Sequence, residues 1–186
     1  MVQPKPRLKF TVKDYMSMPG DKRYQLLDGE MIVAPSPVTR HQRILFSLSR
    51  AMHDFLSARQ LGEVFVAPFD VVLSNHDVAQ PDILFVSNAR SAIITEANIQ
   101  GAPDLVVEIL SPGTAVYDQG YKQALYGRHG VREYWLVDPD AETVEVLMLG
   151  EQVLENFATY SGGQTLESQL LEGLSIPLAA VFQQVN

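Results

Sequence analysis

Residues 101–112 read GAPDLVVEILSP, and the fold turns on this stretch. Gly101-Ala102-Pro103 punctuates the chain, and Leu105 to Leu110 is apolar except for one acid. A short run of that kind between turn signals reads as a buried strand. Alternation puts Asp104, Val106, Glu108 and Leu110 on one face, and Leu105, Val107 and Ile109 on the other. Glu108 thus stands near the C-terminal end of the strand, where open α/β sheets place their sites. A carboxylate in such a run is costly unless it is paired, protonated or bound to a cation. Asp82 poses the same question in AQPDILFV, residues 79–86, just ahead of another apolar strand. About one strand-connector-strand unit separates the two acids, which suggests a shared metal site at the edge of a sheet.

Upstream, Thr11 is an N-cap for a short helix through Tyr15 that ends near Pro19-Gly20. Asp28-Gly29 between Tyr24–Leu27 and Glu30–Val33 is a two-residue hairpin signal. Ser36-Pro37 opens the longest helix, whose apolar stripe is Val38, His41, Leu45, Leu48, Met52 and Phe55. Arg40, Arg43 and Arg50 fall off that stripe, on the solvent side. Gly62 closes the helical region, and strands at 64–66 and 69–73 are broken by Pro68. Asn75-His76-Asp77 is a turn before the strand Ile83–Val86, and a short helix is expected within Ala89–Asn98. Downstream come a helix from Val116 to Arg128, a strand at Glu133–Val137, and a hairpin of Thr143–Leu149 with Val153–Tyr160. A short helix over Ile176–Phe182 ends the chain. The order predicts one α/β (α+β) domain over residues 1–186, a mixed central sheet flanked by helices, with an N-terminal hairpin and a C-terminal strand meander.

A chain of 186 residues with 46% hydrophobic and 19% charged residues can bury one good core, and a second full domain is not expected. The absence of cysteine rules out thiolate metal sites and disulfides. The start, MVQPKPRLKFTVKDY, lacks an apolar leader core, and no run has the length of a membrane span. A cytoplasmic location and no membrane partner are expected. The net charge of −8 argues against nucleic acid only until its distribution is examined. All 14 Lys and Arg lie in residues 1–132 with 13 acids, whereas the last 54 residues carry nine acids and no Lys or Arg. A near-neutral body beside an acidic flank leaves room for a local basic groove.

Chemically, Asp82, Glu108 and the Ile109 carbonyl offer part of a shell for a hard cation, Mg²⁺ or Mn²⁺, which keeps several waters. Lys122, on the next helix, supplies a positive charge. That set suits metal-assisted hydrolysis of a phosphodiester. Plainer readings exist for each member. Asp82 after proline caps turns; Glu108 pairs with an arginine across the sheet. Lys122 makes an i,i+4 pair with Asp118 at the surface. His41 is a satisfied, half-buried histidine, and Glu30 a hairpin residue.

The ordered set is more specific than its parts. Residues 101–147 (GAPDLVVEILSPGTAVYDQGYKQALYGRHGVREYWLVDPDAETVEVL), together with RYQLLDGEMIVAPSPVTRHQRIL (23–45) and VAPFDVVLSNHDVAQPDILFV (66–86), resemble the Uma-type family of the PD-(D/E)XK, restriction-endonuclease-like superfamily. The resemblance covers nearly the whole chain. It implies a restriction-endonuclease-like core and a Mg²⁺-dependent endonuclease acting on DNA, with Pro81-Asp82 as the PD element and Glu108 as the acid of the second half-motif. The lysine of that half-motif would stand at Leu110, and the resemblance implies its migration to Lys122. Glu30 and His41 match polar positions of the family and become further site candidates. Gln25 departs from it, since a YELIDGE-like run would carry glutamate there. A homodimer is expected because cutting both strands of a duplex needs two sites, with Arg40, Arg43 and Arg50 following phosphates. The alternative is an inactive nuclease-fold module that binds nucleic acid or protein.

Overall fold

The computed structural model describes residues 8–19, 23–111 and 117–183, and the backbone alone of residues 117–119. Helix α1 (Val12–Met16) begins at Thr11 with a reciprocal capping box to Asp14. Strands β1 (Tyr24–Leu27) and β2 (Glu30–Val33) form the expected hairpin, pairing Leu27 with Glu30. Asp28 and Gly29 both take positive φ, as a type I′ turn requires. Helix α2 (Thr39–Arg59) is followed by β3 (Gly62–Val66), β4 (Val71–Ser74), β5 (Asp77–Ala79) and β6 (Ile83–Ser87). A 3₁₀ segment (Asn88–Ile93), β7 (Ile99–Gln100) and β8 (Leu105–Ile109) come next. A π-helical turn (Tyr117–Lys122) leads into α3 (Gln123–His129). The chain ends with β9 (Glu133–Asp138), β10 (Thr143–Leu149), β11 (Leu154–Ser161), β12 (Thr165–Glu167), β13 (Ser175–Pro177) and α4 (Leu178–Phe182).

Strands β11-β10-β9-β8-β6-β3 form the central sheet, and β2-β1-β5-β4-β7 form a second one. Strands β8 and β9 run parallel, so the chain between them crosses over through the π turn and α3, while the other central pairs are antiparallel. The alternation read in β8 is physical. Leu105, Val107 and Ile109 pack with Ile44, Leu48, Met52 and Leu56 of α2 and with Trp135. Val106 packs on the opposite face with Leu125, Tyr126, Tyr134 and the second sheet's Leu27, Val71 and Ala79. Each such side chain withdrawn from water contributes about 1.5–3 kcal/mol, and both faces of β8 are used. Glu133, fully buried at the start of β9, accepts from Trp135 Nε1 (2.6 Å), Ser168 Oγ (3.0 Å) and the Leu170 amide (2.6 Å), which fastens the acidic tail to the sheet.

Several expectations need correction. Helix α2 starts at Thr39, with Val38 as its extended N-cap, 65% exposed, so Pro37 precedes the helix and does not open it. Its buried stripe is consequently His41, Ile44, Leu48, Met52 and Leu56; Leu45 and Phe55 flank it and Val38 is not part of it. The helix ends at Arg59 on a left-handed Gln60 rather than at Gly62. Gly62 instead opens β3 where a Cβ would collide with the Val86 carbonyl. The expected helix from Val116 is a π turn from Tyr117 to Lys122 before α3, in the region that Gly120 weakens for α-helix; Val116 lies outside the described residues, as does Gly20 at the expected end of α1. Strands β5, β12 and β13 are too short to have been read. Among the described residues no helix is long and apolar enough to cross a membrane.

Candidate active site

Pro81-Asp82 sits between β5 and β6, and Asp82 turns its carboxylate across to the end of β8. Its Oδ2 accepts from the Ile109 amide at 2.7 Å and lies 3.2 Å from His41 Nε2 of α2. Asp82 therefore does not cap a local turn. The Leu110 amide donates to Val137 of β9. Since neighbouring residues of a strand direct their peptide groups to opposite sides, the Ile109 carbonyl leaves β8 on the Asp82 side.

Glu108 is 3% exposed. Its Oε1 accepts from Lys122 Nζ at 2.9 Å and from the Tyr126 hydroxyl at 2.7 Å. Lys122 closes the π turn and Tyr126 lies one turn on in α3, so a single helical face delivers both donors. Glu108 pairs with Lys122 from the crossover, and Lys122, 2% exposed, is no surface residue. The Asp118 side chain, its expected surface partner, lies outside the described residues. The neighbouring Tyr121 is pinned as well, its hydroxyl donating to Asp77 Oδ1 at 2.6 Å. Burial and the Asp77 carboxylate raise the Tyr121 hydroxyl well above its usual range, so it stays a donor. Burial alone would raise Asp77, but hydrogen bonds from Ser74, Tyr121 and the Asp28 amide outweigh it and hold the carboxyl below its ordinary value.

Asp82, Glu108, Ile109, Lys122 and His41 line one cavity of about 400 Å³. Gln25 enters it from β1, 5% exposed, with Oε1 accepting from the Gln80 amide at 3.0 Å. Gln80 Nε2 in turn donates to Asp70 (2.8 Å) and to the Tyr15 hydroxyl (3.3 Å). Burial and Asp70 push the Tyr15 hydroxyl far above its usual range.

Two expectations fail here. Glu30 is exposed on β2 and is not among the residues that line the cavity, since it pairs with Leu27 at the turn end of the hairpin, away from Gln25. Arg40 is not a free solvent-facing cation: it lines the cavity mouth and pairs with Glu142 (3.0 Å) and Asp140 (3.5 Å). Arg43 and Arg50 are exposed as expected. Tyr126, Arg23 and Gln80 went unread. A tyrosine in an apolar run reads as core, although the spacing from Lys122 to Tyr126 was a usable signal.

The donor set suits a hard cation. Two carboxylates and a strand-end carbonyl face the same cavity, and the chain offers oxygen rather than sulfur. Among the described residues no three His, Asp or Glu side chains cluster into a metal cage. Such a shell fits an ion that retains waters and not a closed structural zinc site.

The family model of Uma2, described as "Putative restriction endonuclease", matches residues 12–179. The chain belongs to the Uma2 family. Family membership supports a nuclease-like function at that level of description. A Synechocystis sp. relative, "Uncharacterized protein sll1609", is 25% identical over 126 residues, 67% of this chain and 71% of its own length. The crystal structure of "a putative nuclease belonging to DUF820" from Anabaena variabilis superposes with a TM-score of 0.78 at 20% identity, covering 93% of this chain and 97% of that one. At that identity the likeness establishes the fold, a mixed α/β arrangement of sheets and helices.

Proposed function

We propose that this Uma2 member is a Mg²⁺- or Mn²⁺-dependent endonuclease that hydrolyses DNA phosphodiester bonds. The observation that carries the reading is the bond from the Ile109 amide to Asp82, which draws acids from two strands to one cavity beside a buried lysine. Asp82, Glu108 and the Ile109 carbonyl would hold the ion. When bound, it would supply a low-pKa water and screening of the phosphate charge. His41 holds the Asp82 carboxylate in place, leaving Oδ1 without a hydrogen bond among the described residues. Lys122, steadied by Glu108 and by the pinned Tyr121, places a positive charge in a low-dielectric wall, where it stabilises negative charge building on phosphate oxygens. Arg43 and Arg50 are free to follow the backbone of bound DNA. A two-fold dimer would supply a second site for the other strand.

Plasmid nicking across a Mg²⁺ and Mn²⁺ titration tests this. Cleavage should require metal, and Asp82→Asn and Glu108→Gln should each lower it about a hundredfold or more. Cleavage that survives chelation, or either substitution, would sink the assignment. One observation favours the inactive binding module instead: Gln25 is a neutral amide already bonded to the Gln80 backbone. A folded, metal-binding chain that nicks nothing under any condition would establish that second reading.

A further inference from the structure

Among the described residues, Arg23 Nε, His41 Nδ1 and Gln80 Oε1 are buried side-chain atoms with no hydrogen-bond partner. All three residues line the cavity that holds Asp82 and Glu108. Buried polar groups are nearly always satisfied, and leaving one unmet costs about 1–3 kcal/mol. Three in one cavity wall mark a place where something else completes the bonds.

The surrounding network fixes what that something must offer. Gln80 Nε2 donates to the Asp70 carboxylate and the Tyr15 hydroxyl. Reversing that amide would set its oxygen against a carboxylate, so Oε1 is held as an acceptor. Gln25 Oε1 is committed to the Gln80 backbone amide, which turns the Gln25 NH₂ away from that bond. The wall thus presents donors at Arg23 and Gln25, an acceptor at Gln80, and His41 Nδ1, which serves as either according to its tautomer. A phosphate has acceptors only; it would satisfy Arg23 but face the Gln80 oxygen, with the Asp70 carboxylate behind it. A planar group carrying donors and acceptors on one edge satisfies the whole set, and a nucleobase edge is such a group.

We propose that Arg23, Gln25, Gln80 and His41 form a subsite for the edge of an unpaired nucleobase, next to the Asp82–Glu108 centre. The identity of the ligand rests on the nuclease reading, and the subsite narrows the substrate to strands with an accessible base. A base inside a duplex reaches a recessed pocket only by leaving its stack.

The test is binding by the full chain in chelator, measured as fluorescence anisotropy of a labelled single-stranded deoxyoligonucleotide. Its perfect duplex and an abasic strand of the same length are the comparison probes. The base-bearing single strand should bind at least about tenfold more tightly than either. Gln80→Leu and, separately, Arg23→Met should remove that preference while binding of the abasic strand stays unchanged. Circular dichroism melting checks that each variant folds, and the wild-type comparison of probes needs no variant. Equal binding of the three probes, or a preference that survives both substitutions, would mean that ordered water alone meets the three atoms, and would overturn the subsite. Because no metal or cleavage is involved, a chain that cleaves without discriminating loses only the subsite. A chain that discriminates without cleaving under metal loses only the nuclease.

Discussion

Lys122 and Glu108 are a buried ion pair, 3% and 4% exposed at their side chains, and their energetics differ from those of a surface pair. Withdrawing two charges from water offsets most of their attraction, so the pair adds little net stability, whereas removing one partner strands the other. Lys122→Ala should therefore destabilise the fold by about 3–5 kcal/mol as well as abolish cleavage. The double change Lys122→Met with Glu108→Leu should recover much of that stability and none of the activity. Urea denaturation of the two variants checks this. A Lys122→Ala chain as stable as the parent would show that the pair is not buried in solution. Loss of activity in Lys122→Ala is thus evidence for a catalytic lysine only where the variant is shown to be folded under the assay conditions; the doubly substituted chain, which also lacks the Glu108 carboxylate, tests the stability account alone.

At the scale of elements, the anchoring of Lys122 depends on a contact between the crossover and β5. Tyr121 donates to Asp77, which also accepts from Ser74 (2.7 Å) and the Asp28 amide (2.9 Å). These donors favour the carboxylate, so the folded-state pKa lies below the ordinary value of 3.8. The unfolded chain then binds more protons in that window, and stability rises with pH through it. The contribution is fully present above about pH 3.8 and is lost as pH falls through the folded value. Asp77→Asn should flatten the acid limb of the stability curve below that pH, read by melting temperature between pH 2 and 6. An unchanged acid limb would remove Asp77 from the account. Strand β8, the Asp28-Gly29 hairpin and the long helix were legible because each carries strong local periodicity or turn chemistry. The phase of α2 was not, since Leu45 and Ile44, or Phe55 and Leu56, fit an apolar stripe equally well until tertiary packing chooses. Glu30 was misplaced and Tyr126 went unread for one reason: which groups a side chain meets depends on contacts between elements distant in sequence.

For the whole molecule, the question is how a chain of net charge −8 would hold a polyanion. Of the four arginines on α2, Arg59 lies over the Phe55 ring and Arg40 is already paired with Glu142 and Asp140 of the acidic C-terminal stretch, which leaves two. Arg43 and Arg50 lie a little under two helical turns apart, about 10 Å along the axis, close enough for both to meet one strand's backbone. Binding should therefore be local and salt-sensitive, with few counterions released. Each phosphate contact contributes a slope of about −0.9 in log K against log salt for duplex DNA and about −0.7 for a single strand. Replacing both residues, Arg43→Gln with Arg50→Gln, should flatten the slope by about 1.4 on a single strand and about 1.8 on a duplex. Titrations between ~50 and ~200 mM salt give these slopes directly. Arg40→Gln should change the slope far less, because its charge is already neutralised within the fold. A parental slope in the double variant would move the phosphate track off α2. Binding indifferent to salt altogether would identify a protein partner in place of nucleic acid.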